Sequence, residues 1–196
     1  MHALRCLGLV GLLAATAVVQ ATPVTYTLDP DHTQVLFSWS HFGYSNPGAN
    51  LGLGSGTLVF DEQHPERSSV QVSLPLSKLD THVAALDKHL QQADFLDAGK
   101  YPQVTFKSTR VQPMGGNRFK VTGDLTMHGV TRPVALDATL NRIGVHPMTQ
   151  RQSIGFGATT RIKRSEFGVG AHVPDVGDEL TVRITTEGAV AGAAQK

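Results

Sequence analysis

The sequence predicts an all-β domain of eight strands with one helix in a long connection. Three observations predict it. Apolar and polar residues alternate with period two through eight separate runs, clusters of Pro, Gly and Asn part those runs, and only one stretch has helical spacing. Each strand therefore has one apolar face to bury, and the eight faces can meet as a sandwich or as a closed barrel. Alternation alone does not separate the two.

The first run is Val35, Phe37 and Trp39, alternating with Leu36, Ser38 and Ser40. A shorter run at 57–60 follows the glycines of Gly52-Leu53-Gly54-Ser55-Gly56, which read as a mobile turn. Val70, Val72, Leu74 and Leu76 then alternate with Gln71, Ser73 and Pro75. Between Asp80 and Ala98 the period changes: Val83, Leu86 and Leu90 fall at helical spacing, Asp80 or Thr81 stands ready as N-cap, and Gly99 with Pro102 ends the element. That predicts a helix of about three turns over roughly residues 81–93. A short strand at 104–107 comes next. Phe119, Val121, Gly123, Leu125 and Met127 alternate with Lys120, Thr122, Asp124 and Thr126, and the same pattern recurs at 134–140, 154–162 and 180–186. Turn signals lie at Pro47-Gly48, Pro65, 113–117, Pro147 and 174–177.

Residues 1–21 stand apart. Arg5 is their only charge, the run from Cys6 to Val19 is almost wholly apolar, and Val19-Gln20-Ala21 offers a small-residue cleavage site. This is the pattern of a secretory signal peptide, too short for the ~20 residues that cross a bilayer. Cleavage after Ala21 leaves 22–196 as one domain with no net charge, His counted as neutral. Such a balance gives no footprint for nucleic acid or for an anionic membrane surface. No later segment is apolar enough to be a transmembrane helix. Cys6 is the only cysteine, so thiol catalysis, cysteine zinc sites and iron–sulfur clusters are excluded from the exported domain.

Motifs for chemistry are weak. His82 and His89 are seven apart, two turns on a helix face and too distant to chelate one ion, and no His-Glu-x-x-His occurs. Ser55 lacks the Gly-x-Ser-x-Gly context, and the neighbouring glycines fail the dinucleotide fingerprint in spacing. No cofactor is called for. Asp29/Asp31 and Asp94/Asp97 sit in turns, where Asp commonly bonds its own backbone. Asp124 and His128 fall on the polar parity and read as surface or turn residues. More informative is polarity on the inward side. Extending the parity of Val35-Phe37-Trp39 reaches His41, and extending that of Ile154-Phe156-Ala158-Thr160-Ile162 reaches Arg164. A buried Arg needs an acid, a pocket mouth or a ligand anion. Pairing with Asp175 or Asp178 is the simplest of these.

The ordered set of segments carries a resemblance. Asp29-Pro30-Asp31-His32-Thr33 leads to Val35-x-Phe37 and His41-Phe42-Gly43, then Phe60-Asp61, Leu79-Asp80-Thr81 and Leu86-Asp87-Lys88-His89-Leu90. Asp94-Phe95-Leu96-Asp97, Lys100-Tyr101-Pro102-x-Val104-Thr105-Phe106, Val121-Thr122-Gly123-Asp124-Leu125-Thr126-Met127-His128-Gly129 and Lys163-Arg164-Ser165-Glu166-Phe167-Gly168 follow. From about Tyr26 to Glu187 the chain resembles the YceI-like, polyisoprenoid-binding family of secreted bacterial proteins. The resemblance implies an eight-stranded antiparallel, lipocalin-like barrel with a helix in one long connection. It also implies an elongated apolar pocket for a long isoprenoid or other amphipathic lipid, a periplasmic location, and no catalytic residues. Residues 45–51, Ser-Asn-Pro-Gly-Ala-Asn-Leu, depart from a more basic segment in other branches, which bears on the head group accepted.

The inward set expected to hold such a chain is Phe37, Trp39, Val72, Leu74, Leu76, Phe106, Phe119, Val121, Leu125, Leu136, Phe156 and Ile162. His41 and Arg164 would stand near a polar head of the quinone or polyprenyl class. Two other readings remain open at this point: an enzyme acting on such a lipid through a mouth His or Asp, and a stress-related interaction module with a filled core. A homodimer would follow from an exposed apolar mouth.

Overall fold

The two architectures left open by alternation are separated by one pairing, between the first strand and the last. The computed structural model describes residues 22–191, so the expected signal peptide lies outside the described residues. β1 (Val24–Leu28) and β2 (Gln34–Ser38) share one strand position, β3 (Gly48–Gly52) and β4 (Ser55–Phe60) a second, and β5 (Ser69–Pro75) and β6 (Leu79–Asp80) a third. β7 (Gln103–Pro113), β8 (Arg118–Met127), β9 (Val130–Val145), β10 (Gln152–Lys163) and β11 (Glu179–Ala189) fill the other five. All neighbours are antiparallel, in the order β1-β4-β5-β7-β8-β9-β10-β11. Thr27 and Leu28 of β1 then meet Ala189 and Gly188 of β11, closing the ring. The other half of β11 pairs with β2, which carries β3 and β6 in turn. The result is an eight-position closed barrel, not a sandwich.

Three of the positions are interrupted, each for a local reason. Between β1 and β2, the Asp29 carboxylate accepts the Asp31 amide and meets His32 Nδ1, both at 2.8 Å, forming an Asp-centred turn. Between β3 and β4, the Gly54 amide donates to the Ser73 carbonyl at 2.9 Å, and a Cβ on Gly54 would lie 2.7 Å from Pro75 Cδ. Only glycine allows that approach. The glycines expected as a mobile turn are therefore the ends of two strands. Pro75 ends β5, and a single 3-10 turn, Leu76–Lys78, leads into β6.

The expected helix is shorter than its spacing suggests. α1 (Ala84–Leu90) has seven residues, and neither Asp80 nor Thr81 caps it. Asp87 reaches back instead, accepting both the amide and the hydroxyl of Thr81 at 2.7 Å. His82 has a left-handed φ of 62°, which holds the chain outside the helix. His82 and His89 consequently do not share a helical face. After Leu90 the chain folds back on itself, the Ala98 amide donating to Gln91 O at 3.0 Å.

Antiparallel order assigns each connection to an end of the barrel. The 39–47 loop, the 81–102 connection with α1, the His128-Gly129 turn and the 164–178 loop share one end, called the mouth below. The 61–68, 114–117 and 146–151 turns share the other. Inward and outward sides follow the sequence parity. Phe119 and Met127 of β8 are buried while Lys120 and Asp124 are exposed, and Lys120 faces Asp137 across the outer surface at 3.7 Å. His128 takes the turn role expected of it, with φ 51° and its ring 5.0 Å from that of Tyr101.

Candidate functional site: an apolar cavity inside the barrel

The inward side chains do not fill the barrel. They enclose a cavity of about 730 Å³, within the ~300–1,000 Å³ range of small-molecule sites. Every residue of the expected inward set lies on its wall. β2 and the residue after it bring Phe37 and Trp39, with ring centroids 5.9 Å apart. β5 brings Val72 and Leu74, and Leu76 follows from the 3-10 turn, buried to 2% exposure although outside the strand proper. Phe106 comes from β7, Phe119, Val121 and Leu125 from β8, Leu136 from β9, and Phe156 and Ile162 from β10.

The far end of the cavity is aromatic. Phe60, Phe119 and Phe156 meet edge to face with centroid separations of 5.8–6.1 Å, a packing that gives rings their preferred quadrupole contacts. Phe60 and its neighbour Leu58 were legible in the 57–60 run, as were Val182 and Ile184 in the last strand, yet all four lie outside the expected set. Leu51 and Leu53 sit in the glycine-rich segment, where small residues hide the alternation. Polar groups on the wall are mostly spent on the protein itself. The Thr33 and Thr186 hydroxyls bond each other at 2.8 Å, and Thr160 donates to Ala135 O at 2.8 Å.

At the mouth the wall changes character. His41 pairs through its backbone with Ser45 and Val176, and the Phe42 amide donates to Asp175 O at 2.8 Å, which ties the 39–47 loop to the 164–178 loop. α1 lies alongside, turning Leu86, His89 and Leu90 to the cavity. Phe95 sits between two imidazoles, its centroid 4.7 Å from His89 and 6.0 Å from His172. His89 and His172 line the cavity, and nothing in the sequence periodicity marked them. No group of three or more His, Cys, Asp or Glu side chains among the described residues is arranged to hold a metal ion.

Arg164 follows β10 and is 6% exposed. The expected carboxylate partner is not there. Its Nε donates to Gly177 O at 3.0 Å, Nη1 to Val169 O at 2.7 Å and Nη2 to Val176 O at 2.7 Å. Asp178 instead accepts the Ser165 amide at 2.9 Å and the Ser165 hydroxyl at 2.7 Å. Three carbonyls of one loop thus take the place of an acid, and the loop wraps the guanidinium because its planar fork can serve all three. Burial pulls the Arg164 pKa below its ordinary value, and the charge of Asp178 partly offsets this. Burial works to raise the Asp178 carboxyl, but the Ser165 bonds and the charges of Arg164 and Lys163 outweigh it and hold it low.

A closed antiparallel barrel with an apolar cavity, an aromatic far end and a polar mouth defines the calyx class of β-barrels. The YceI-like domain matches residues 26–188, and the chain belongs to that family. Protein YceI of Escherichia coli O157:H7 is 37% identical over 186 residues, covering 92% of this chain and 96% of its own length. A UPF0312 protein of Pseudomonas syringae pv. tomato is 38% identical with the same coverage. Among solved structures, BcnA of Burkholderia cenocepacia superposes with a TM-score of 0.74 at 25% identity, covering 82% of this chain and 98% of that one. A polyisoprenoid binding domain from Saccharophagus degradans, implicated in plant cell wall breakdown, shares the fold with a TM-score of 0.66 at 12% identity, covering 86% of this chain and 99% of that one.

Proposed function

We propose that the protein binds one long-chain amphipathic lipid, an isoprenoid of the quinone or polyprenyl class, and sequesters or carries it in the periplasm. One observation carries the reading: a cavity of about 730 Å³ whose wall is apolar from the aromatic far end almost to the mouth. The tail lies along Phe106, Phe156 and Leu74, and the head faces His41 and Arg164. The physics suffices without directed chemistry. Each buried methylene contributes ~0.8 kcal/mol, so ten contribute ~8 kcal/mol before ordering losses, the size of a micromolar affinity. The periplasmic part rests on the signal pattern of residues 1–21 and on family membership. Binding rather than turnover is favoured because, among the described residues, no histidine of the cavity wall is paired with a carboxylate, and the Asp80–His82 pair at the mouth lies off that wall.

The test is native mass spectrometry of the protein purified from its own periplasm, followed by solvent extraction of the bound material. One lipid per chain is the expected result. A protein that arrives empty and stays empty when offered ubiquinone, undecaprenyl phosphate and palmitate overturns the reading.

A further inference from the structure

Charge on the cavity wall is one-sided. Among the described residues that line it there is no Asp, Glu or Lys, and the one permanently charged side chain is Arg164. Its guanidinium is buried, yet its nearest partners are main-chain carbonyls rather than a carboxylate. Five N–H groups make up a guanidinium, so three bonds leave one hydrogen on each Nη without a partner among the described residues. Carbonyl dipoles solvate the cation but do not neutralise it, and Asp178, whose oxygens accept from Ser165, acts on it only at a distance, without a direct bond. An oxyanion is the group that would complete this site, since a charged acceptor gains more from a buried guanidinium than a neutral one.

The surroundings agree in place and in chemistry. Val176, whose carbonyl takes Arg164 Nη2, is the residue that pairs with His41. The Val176 amide donates to His172 O at 2.7 Å. His41 and His172 both line the cavity, and both are exposed at its mouth. Each neutral imidazole has one N–H to donate. Arg164, His41 and His172 are thus three donor-bearing residues of the cavity wall, each tied to Val176, at the opposite end of the cavity from Phe60, Phe119 and Phe156. A cationic amphiphile would find no carboxylate on the wall, and a neutral quinone would gain hydrogen bonds without charge.

We propose that the cavity selects amphiphiles whose head is an oxyanion, a phosphate or a carboxylate, and seats that head at Arg164 between His41 and His172. This rests on the carrier reading and narrows it from lipids in general to anionic ones.

The experiment is displacement of the neutral fluorescent probe N-phenyl-1-naphthylamine from the folded protein by matched pairs: geranylgeranyl phosphate against geranylgeraniol, and palmitate against hexadecanol. Within each pair the tail is constant and only the head differs. The anion should bind at least ~10-fold more tightly than its alcohol. Comparing the two pairs tells a phosphate site from a carboxylate site. The ratio should shrink in Arg164→Lys, which keeps a cation but loses the fork. If that variant fails to fold, the double variant His41→Ala with His172→Ala, at exposed positions, reads the same ratio. Equal affinity for anion and alcohol overturns the proposal while leaving the carrier reading intact, as does an anion preference that survives both variants in full. If neither member of either pair binds, the carrier reading itself falls.

Discussion

Ala158 gives the sharpest test of whether the barrel interior holds a chain. It lies midway along β10, points inward, and is flanked across the ladders by Ala138 of β9 and Ile184 of β11. All three line the cavity, and Ala158 is only half-buried because it faces open space. Ala158→Phe would extend a ring into that space rather than into a packed core, so the ~1–3 kcal/mol penalty of overpacking should not arise. A ring there would displace about four to six chain carbons. At ~0.8 kcal/mol for each methylene that removes ~3–5 kcal/mol of binding, a loss of at least ~10²-fold for a chain that needs the full length. The assay is native mass spectrometry with prenyl chains of graded length, alongside a urea unfolding curve. The variant should keep the wild-type unfolding midpoint, reject the longest chains and still admit short ones. Unchanged affinity for the longest chain would show that the tail does not run past β10, and the placement argued above would be wrong.

Two further predictions concern groups away from the cavity wall. Tyr26 is fully buried, and its hydroxyl has no hydrogen-bond partner among the described residues; Tyr26→Phe should therefore raise stability by about 1 kcal/mol, whereas a lower urea midpoint would mean that the hydroxyl is bonded after all. The hydrogen bond between Asp29 and His32 lowers the Asp29 pKa and raises that of His32. The His32 contribution is present below the unfolded-state value and fades as pH climbs through the raised folded-state value; the Asp29 contribution is present above the unfolded carboxyl value and fades as pH falls through the lowered one. In an NMR titration His32 should accordingly titrate above an ordinary histidine, and Asp29→Asn should bring it back down; a His32 curve indifferent to that change would deny the pair.

Much of this architecture was legible because burial in a barrel is written in alternate residues. Each of the eight expected runs occupies one strand position, and parity put Phe37, Val121 and Ile162 on the correct side. What parity could not reveal has physical reasons. β3 is built from Gly48, Ala49, Asn50, Leu51 and Gly52, so its inward side carries one large apolar residue, Leu51, too little for the alternation to stand out. The start of α1 departs from its spacing because His82 takes a left-handed φ and the Asp87 carboxylate reaches back to Thr81, so the helix begins later and without a side-chain cap. The partners of Arg164 were out of reach for a deeper reason. Parity located the buried cation, but every residue has a carbonyl, so a cage of carbonyls leaves no trace in residue types. His89 and His172 flank the same Phe95 ring only because two distant connections fold over the same rim.

The pairing of Thr27 and Leu28 with Ala189 and Gly188 also bears on how the molecule is made. This contact joins nearly the two ends of the described chain, and a ring cannot shut until its last strand exists. Contacts of such long sequence separation carry the largest loop-closure cost, so barrels of this kind fold slowly for their size. Until β11 docks, β10 on one side and β2 with the end of β1 on the other present unpaired edges, and an open sheet with unpaired edges can associate with its own copies. Chain synthesis, which runs toward β11, thus leaves the most vulnerable species as the one lacking only its final strand. A truncation just before Glu179 would hold the molecule there. Its oligomerisation would measure how much the closing strand protects the rest.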